Sequence, residues 1–326
     1  MSAFAYDLIT SRIIALLEQG TVPWHRPWDA STDWPRNLIT QKEYRGINVW
    51  ILLSMAYKSP FWLTFRQASQ LGGHVRKAEK ACPVVFWKTT LVPDKVTQEQ
   101  RAVPFLRYYY VFNVAQCDGL DEILTPKAEA GEKTEEAEVD DITEPGADLS
   151  LLRRNTKAEA IAANMPQRPT IRHGMRKAFY SLMDDTISLP VEEDFESSAE
   201  YYAALFHELI HATGHETRLH RPSLSESHGY GSDPYCKEEL VAEIGAAFLC
   251  GQVGIIDRTI DNSAAYIQGW LKRLQADRTL IIKAAAQAEK AVNFILGVTP
   301  SSPMKDATDP SANIELPEVS TVVAVS

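Results

Sequence analysis

The sharpest chemical signal in the chain is His207-Glu208-Leu209-Ile210-His211, set inside YYAALFHELIHATGH, a segment of helical periodicity. Residues four apart share one face of a helix, so two imidazoles converge on one metal ion while Glu208, one residue along, reaches a water bound to it. Zinc takes nitrogen and oxygen donors tetrahedrally and keeps one position for water at a catalytic site. The metal lowers the pKa of that water to about 7, and the Glu takes its proton as hydroxide attacks a carbonyl. The pattern predicts one Zn2+ per chain, with another divalent metal as the alternative. A helix whose histidines only pack and hydrogen-bond would carry the same five residues, so the remaining donor decides between the two.

That donor is expected on a second helix. Asp233-Pro234 is a cap followed by proline at the first helical position, the run YCKEELVAEIGAAFLC follows, and Gly251 stops it. Glu239 and Glu243 lie four apart on one face, where carboxylates repel unless something positive sits between them. A metal with its imidazoles supplies that charge. Glu239 is therefore assigned as third ligand and Glu243 as the acceptor that orients a ligand imidazole. Glu238 faces another side and is expected in solvent. His215 follows His211 by four, but Gly214 breaks the helix between them; His220 and His228 fall in a loop. Whether Glu239, Glu243, Glu238 or His215 completes the set stays open at this level. Tyr230 and Tyr235 are oxyanion candidates from the same loop, with ordinary partly buried tyrosines as the competing reading. The strand Thr186 to Leu189, reached through a hairpin turning at Asp184-Asp185, would offer an edge along which an extended peptide could lie.

These helices belong to a chain of 326 residues, a length that suits about two ordinary domains, and 45% of them are apolar, enough to bury real cores. No apolar run reaches the roughly 18 residues a bilayer span needs. The amphipathic start lacks a basic segment followed by an apolar one, so no signal peptide is visible. Cys82, Cys117, Cys236 and Cys250 form no Cys-x-x-Cys pair, which argues against thiolate zinc sites and disulfides and for a reducing cytoplasm.

The net charge of -10 argues against a nucleic-acid partner, since phosphate neutralisation needs Lys and Arg, but the average hides its distribution. Residues 1–120 balance to +5, 121–150 to -9 and 151–326 to -6. Residues 121–150, without an aromatic and rich in Glu, read as a solvated linker. The predicted fold is α+β with a small domain over 1–120, the acidic linker over 121–150, a metallopeptidase-like domain over 151–300 and a mobile tail over 301–326. That tail ends in the apolar STVVAVS, which leaves a partner-docking strand as a minority reading. Helices are expected at 4–19, 48–57, 64–71, 157–164, 198–213, 234–250 and 262–296, and strands at 84–90 and 105–114.

Six of the seven tryptophans fall in the first 90 residues, interleaved with cations. Trp24, Arg26 and Trp28; Lys42, Tyr44 and Arg45; Arg76, Lys77 and Lys80 ahead of Lys88; and Arg107 beside Tyr108 form the sets. A cationic groove whose aromatics stack on bases binds single strands without sequence preference. The competing reading is that these aromatics are core: Trp50, Trp62 and Phe65 are expected to be buried, whereas the prolines around Trp24 and Trp28 favour exposure.

With these residues in hand, the chain resembles the ArdC family of plasmid antirestriction proteins. The segments that carry the resemblance are PWHRPW (23–28), NLITQKEYRGINVWIL (37–52), WLTFRQASQLGGHVRKAEKACPVVFWK (62–88), YYAALFHELIHATGHETRL (201–219) and KEELVAEIGAAFLC (237–250). The resemblance implies an N-terminal single-stranded DNA-binding domain, similar also to the start of certain plasmid primases, and a C-terminal zincin-like metallopeptidase domain. It implies protection of incoming plasmid DNA from host restriction during conjugation, and a metal held by His207, His211 and an acid of the later helix. Two departures stand out: Ala78 and Ala81 occupy positions where relatives are expected to carry glycine, and the acidic linker is long enough to compete for the cationic groove as an intramolecular mimic of DNA. Two other readings remain beside antirestriction: a single-stranded-DNA-dependent metalloprotease acting on DNA-bound or crosslinked proteins, and a DNA-coating protein whose zincin domain is inert. No membrane partner is implied, and the protein substrate or restriction-related partner is unidentified.

Overall fold

The computed structural model describes residues 2–25, 34–93, 100–120, 155–225, 233–255 and 264–298. The linker at 121–150, the tail at 301–326, and Arg26, Trp28, His228 and Tyr230 lie outside the described residues.

Helix α1 (Ser2–Glu18) buries Ala5, Ile9, Ile13 and Leu17, a stripe at helical spacing. A 3-10 turn at Pro23–His25 leads to β1 (Arg36–Asn37), α2 (Ile47–Leu53), β2 (Phe61–Leu63) and α3 (Phe65–Gln70). Next come β3 (His74–Val75), the long hairpin of β4 (Cys82–Pro93) and β5 (Gln100–Asn113), and β6 (Cys117–Asp118). The main sheet runs β1-β2-β5-β4, which leaves β4 on an edge, and β3 pairs with β6. The Asn48 side-chain amide donates to the carbonyl of Val85 at 2.7 Å and accepts from its N–H at 2.8 Å, closing that edge beside α2. A capping box between Thr64 and Gln67 starts α3. Trp50 and Trp62 are buried as expected; Phe65 is not, being 60% exposed as the first residue of α3.

The second half runs α4 (Thr156–Asn164), β7 (Thr170–His173), β8 (Phe179–Ser181), β9 (Thr186–Leu189), α5 (Ser198–Ala212), α6 (Pro222–Ser225), α7 (Asp233–Gln252), α8 (Ala264–Ala276) and α9 (Leu280–Ile295). The expected hairpin is present, but β9 is the middle strand of the order β7-β9-β8, parallel to β7 and antiparallel to β8. All four of its residues are buried and its backbone pairs on both sides, so the peptide-binding edge assigned to it does not exist. The single helix expected over 262–296 is two. Asp277 Oδ1 accepts from the N–H and hydroxyl of Thr279 at the break, and the freed Arg278 donates to Asp7 and Ser11 of α1.

The fold is α+β, and its two halves share a core. Buried residues of α1, α2, β4 and β5 form one hydrophobic cluster with those of α5, α7, α8 and α9. Trp34 stacks on Phe248 with ring centroids 5.6 Å apart, and Trp50 approaches the same ring at 4.7 Å. The two domains are therefore in contact, with the first 120 residues packed against the second half through this cluster. Among the described residues no helix is long and apolar enough to cross a membrane.

Candidate metal centre

Ser197 caps α5 by accepting from the N–H of Glu200, and four turns of helix follow with His207 and His211 on one face. Helix α7 crosses close by at Gly245, where an added Cβ would meet Ile210 Cδ1 at 2.6 Å. That approach sets Glu239 against both imidazoles. His207 Nε2 and His211 Nε2 are 3.1 Å apart, and the Glu239 carboxylate lies 3.6 Å from each. Donors bonded to zinc at about 2.0–2.1 Å with tetrahedral angles sit about 3.3 Å from one another, so these three fit a common ion. Among the described residues they are the one group of His, Cys, Asp or Glu donors that converges in this way. Glu208 is buried beside them.

Burial alone would lower the pKa of His207, but the hydrogen bond to Glu239 and the charges of Glu208, Glu239 and Glu243 outweigh it and lift it to about 9. Burial would likewise raise Glu239, yet the two imidazoles and the Tyr235 hydroxyl hold its carboxyl below the ordinary range. A cavity so rich in negative charge favours a cation. Tyr235, named as an oxyanion candidate, is instead hydrogen-bonded to Glu239. His215 turns away to Thr217, 2.8 Å from its hydroxyl.

The two acids behind the candidate ligands are both buried, and they are placed otherwise than their spacing suggested. Glu238, expected in solvent, is 2% exposed and accepts from His211 Nδ1 at 3.4 Å, so it is the acceptor that orients an imidazole. Arg221 donates to both its oxygens and Ser223 Oγ to one at 2.6 Å. Burial pushes Glu238 up, but His211 and Arg221 win and hold it at about 2. Arg221 also donates to the carbonyl of Ile210 at 2.7 Å and to Thr213 Oγ1, tying the end of α5 to α7. Gly214 leaves room for it, since a Cβ there would lie 2.9 Å from the guanidinium. Glu243 has other partners: it accepts from Trp24 Nε1 at 3.2 Å and from the Tyr266 hydroxyl, and burial raises its carboxyl to about 7.

Trp24 is not the exposed ring that its flanking prolines suggest. It is 1% exposed, with its indole edge-on to Trp270, and has no face left for a base. Arg221, Ser223, Trp24 and Tyr266 were not legible in the sequence as members of this site; the one signal was Gly214, in the turn between α5 and Arg221.

The other nucleic-acid candidates divide into groups. Lys42, Tyr44 and Arg45 come together with Phe86, Trp87 and Tyr109 around a groove of about 940 Å³ whose far wall is α9. Along the hairpin Arg107 lies opposite Phe86 and Lys88 opposite Phe105, on the face that carries Tyr109, and the Arg107 guanidinium sits 5.2 Å from the Phe105 centroid. Tyr108 alternates to the opposite face and packs on Phe4 at 5.5 Å. Lys77 and Lys80 are exposed in the loop before β4, apart from the groove lining. Arg76 in that loop is engaged by Glu79, Asp118 and the carbonyl of Ala115. Ala78, where the resemblance implies glycine, adopts a left-handed φ of 69°, a conformation that favours glycine.

Two histidines and a glutamate converge from crossed helices, and residues 156–287 match the family model of zincin-like metallopeptidases. Residues 4–112 match the N-terminal domain of the anti-restriction factor ArdC. The chain belongs to the ArdC antirestriction family. It is similar to crystal structures of antirestriction protein ArdC from plasmid R388. The metal-free form is 37% identical with a TM-score of 0.64, covering 89% of this chain and 96% of that one. The Mn(II)-bound form is 36% identical with a TM-score of 0.65, covering 90% and 97%. An uncharacterised protein of Sinorhizobium fredii, y4eC, is 33% identical over 89% of this chain and 91% of its own length. The DNA primase TraC of Escherichia coli is 36% identical over 89% of this chain, which spans only 27% of the primase.

Proposed function

We propose that the chain is an antirestriction protein that binds single-stranded DNA, without sequence-specific contacts, in the groove of Lys42, Tyr44 and Arg45 and carries a zinc-dependent peptidase site. Its place of action is the cytoplasm of a cell receiving plasmid DNA. The supporting observation is the junction between the halves: the N-terminal half lines the groove and also reaches the metal centre through Trp24 and Glu243. One body thus holds both chemistries, which suits action on proteins that meet the incoming strand.

His207, His211 and Glu239 would hold the metal, which when bound supplies a water of lowered pKa and polarises a carbonyl. Glu208 accepts a proton from the attacking water and delivers it to the leaving amine. Glu238, clamped by Arg221, accepts from His211 Nδ1 and leaves Nε2 toward His207 and Glu239, where it would serve a bound metal. Tyr235 and His207 hold Glu239 ionised.

The test is metal analysis of wild type and His211→Ala with proteolysis assayed with and without single-stranded DNA. Wild type should carry one divalent ion per chain and His211→Ala should lose it. Glu208→Gln should retain metal and DNA while cleavage falls by at least about a hundredfold, the usual contribution of a general base. If Glu208→Gln protects a plasmid from restriction as well as wild type, antirestriction by peptide cleavage is wrong and coating of DNA takes its place.

A further inference from the structure

The charge of -6 over residues 151–326 hides a run of the opposite sign. From Ala160 to Met183 the chain carries Arg168, Arg172, Arg176 and Lys177 and no acid. All four cations are exposed, and none forms an ion pair among the described residues, whereas Arg218 of the same half is locked to Asp185. The acids Glu192–Asp194 follow β9 without pairing with them. A surface of one sign on a half of the other attracts a polyanion at close range.

The β7-β9-β8 sheet shows what that polyanion would meet. Ile171, Ile187 and Tyr180 form one row across it and turn to the core, where the sheet packs on α5 and Ile187 is fully buried. Side chains alternate along a strand, so the next row, Arg172, Ser188 and Phe179, turns to the outer face. Thr170, Thr186 and Ser181 make a further row on that face. Phe179 is 42% exposed there, a ring in register with an unpaired guanidinium and with a hydroxyl between them. Arg176 and Lys177 lie in the loop from β7 to β8, at the same end of the sheet.

An exposed ring and exposed cations, with hydroxyls where a solvated face would carry carboxylates, are the parts that hold single-stranded nucleic acid: a base lies on the ring and phosphates on the cations. A duplex keeps its bases stacked on one another, and an acidic peptide uses only the cations; either would leave Phe179 idle. We propose that the outer face of the β7-β9-β8 sheet is a second single-strand contact surface, with Phe179 stacking a base and Arg172, Arg176 and Lys177 holding the flanking phosphates. The strand is then held by the sheet that supports the helix of His207 and His211, independently of the groove at Lys42 and Arg45.

The experiment is fluorescence anisotropy of the full chain with labelled dT20 between about 50 and 200 mM salt. The Lys42→Ala/Arg45→Ala chain, its groove weakened, should still bind. Adding Phe179→Ala should weaken that residual binding at least about fivefold without altering its salt dependence, and Phe179→Tyr, which keeps the ring, should not. Adding Arg172→Ala, Arg176→Ala and Lys177→Ala instead should lower the slope of log affinity against log salt by about two, the change that three phosphate contacts to a single strand imply. No binding by the Lys42→Ala/Arg45→Ala chain, or residual binding indifferent to both sets of changes, would overturn the surface. Residual binding that responds to the charges but not to Phe179→Ala would overturn it as a strand site and leave a cationic face for acidic proteins. The groove is judged separately: wild-type affinity equal to that of Lys42→Ala/Arg45→Ala would refute the groove and leave the sheet surface standing.

Discussion

Trp24 lies 219 residues from Glu243, yet its indole N–H donates to that carboxylate. Glu243 sits one helical turn beyond the candidate ligand Glu239, so Trp24 and Tyr266 together fix the acid behind the proposed centre. Trp24→Phe keeps the ring against Trp270 and removes one donor from a buried acceptor. It should destabilise the protein by about 1–2 kcal/mol, measured by denaturant unfolding, and lower metal affinity in titration calorimetry. A variant with wild-type stability would show that Glu243 is satisfied without it. That His207 and His211 would face the same point was legible because their four-residue spacing is a local property of a helix. Glu238 and Trp24 were not, because an acid at a helix position says nothing about which loop will cover it: Arg221 and Ser223 arrive from a turn whose path spacing does not encode.

At the scale of elements, the centre depends on how closely α7 crosses α5, and that is decided by one missing side chain. Gly245→Ala would place a Cβ 2.6 Å from Ile210 Cδ1 and drive the helices apart. Overpacking of this kind costs about 1–3 kcal/mol, and because Glu239 moves with α7 while the imidazoles stay on α5, metal affinity should fall with it. Ile210→Ala in the same chain should recover part of that affinity; a double variant no better than Gly245→Ala would place the fault elsewhere. The turn between β8 and β9 is fastened to the end of α5 by Arg218, which donates to both Asp185 oxygens, at 2.9 and 2.7 Å, and to the carbonyl of Ala212. Burial would raise Asp185, but Arg218 and Tyr180 hold its carboxyl below the ordinary value of 3.8. A depressed folded pKa adds stability that is complete above the unfolded value and is lost as pH falls through the folded one. Asp185→Asn should therefore cost about 1–2 kcal/mol near neutral pH, discounted because the carboxylate is partly exposed. The gap from wild type should close below about pH 4, as unfolding midpoints across pH will show. The hairpin turn at Asp184-Asp185 was legible from its residues; the central position of β9 was not, because β7 precedes it by a connection with no pattern of its own.

Across the whole molecule, the acidic stretch at 121–150 invites a picture of two modules on a tether, and the apolar stripe of α1 is equally consistent with a small closed domain. Periodicity identifies a face that must be covered but not what covers it. Here the cover comes from the other half: Ile9 and Ile13 share a cluster with Leu274 and Ile281, Trp34 stacks on Phe248, and Arg278 pairs with Asp7. Cutting the chain at 121–150 would expose these faces on both pieces, each of which would lose apolar burial contributing about 25 cal/mol per Å². The full chain should accordingly unfold in one calorimetric transition, with van't Hoff and calorimetric enthalpies equal. Because ligands of the folded state stabilise everything that unfolds with them, divalent metal at the His207–His211–Glu239 site should raise that single midpoint. It should also slow amide exchange in α1, which touches no ligand. Two separate transitions, or metal protection confined to α5 and α7, would show that the halves keep independent stabilities and that the shared core contributes little to coupling them.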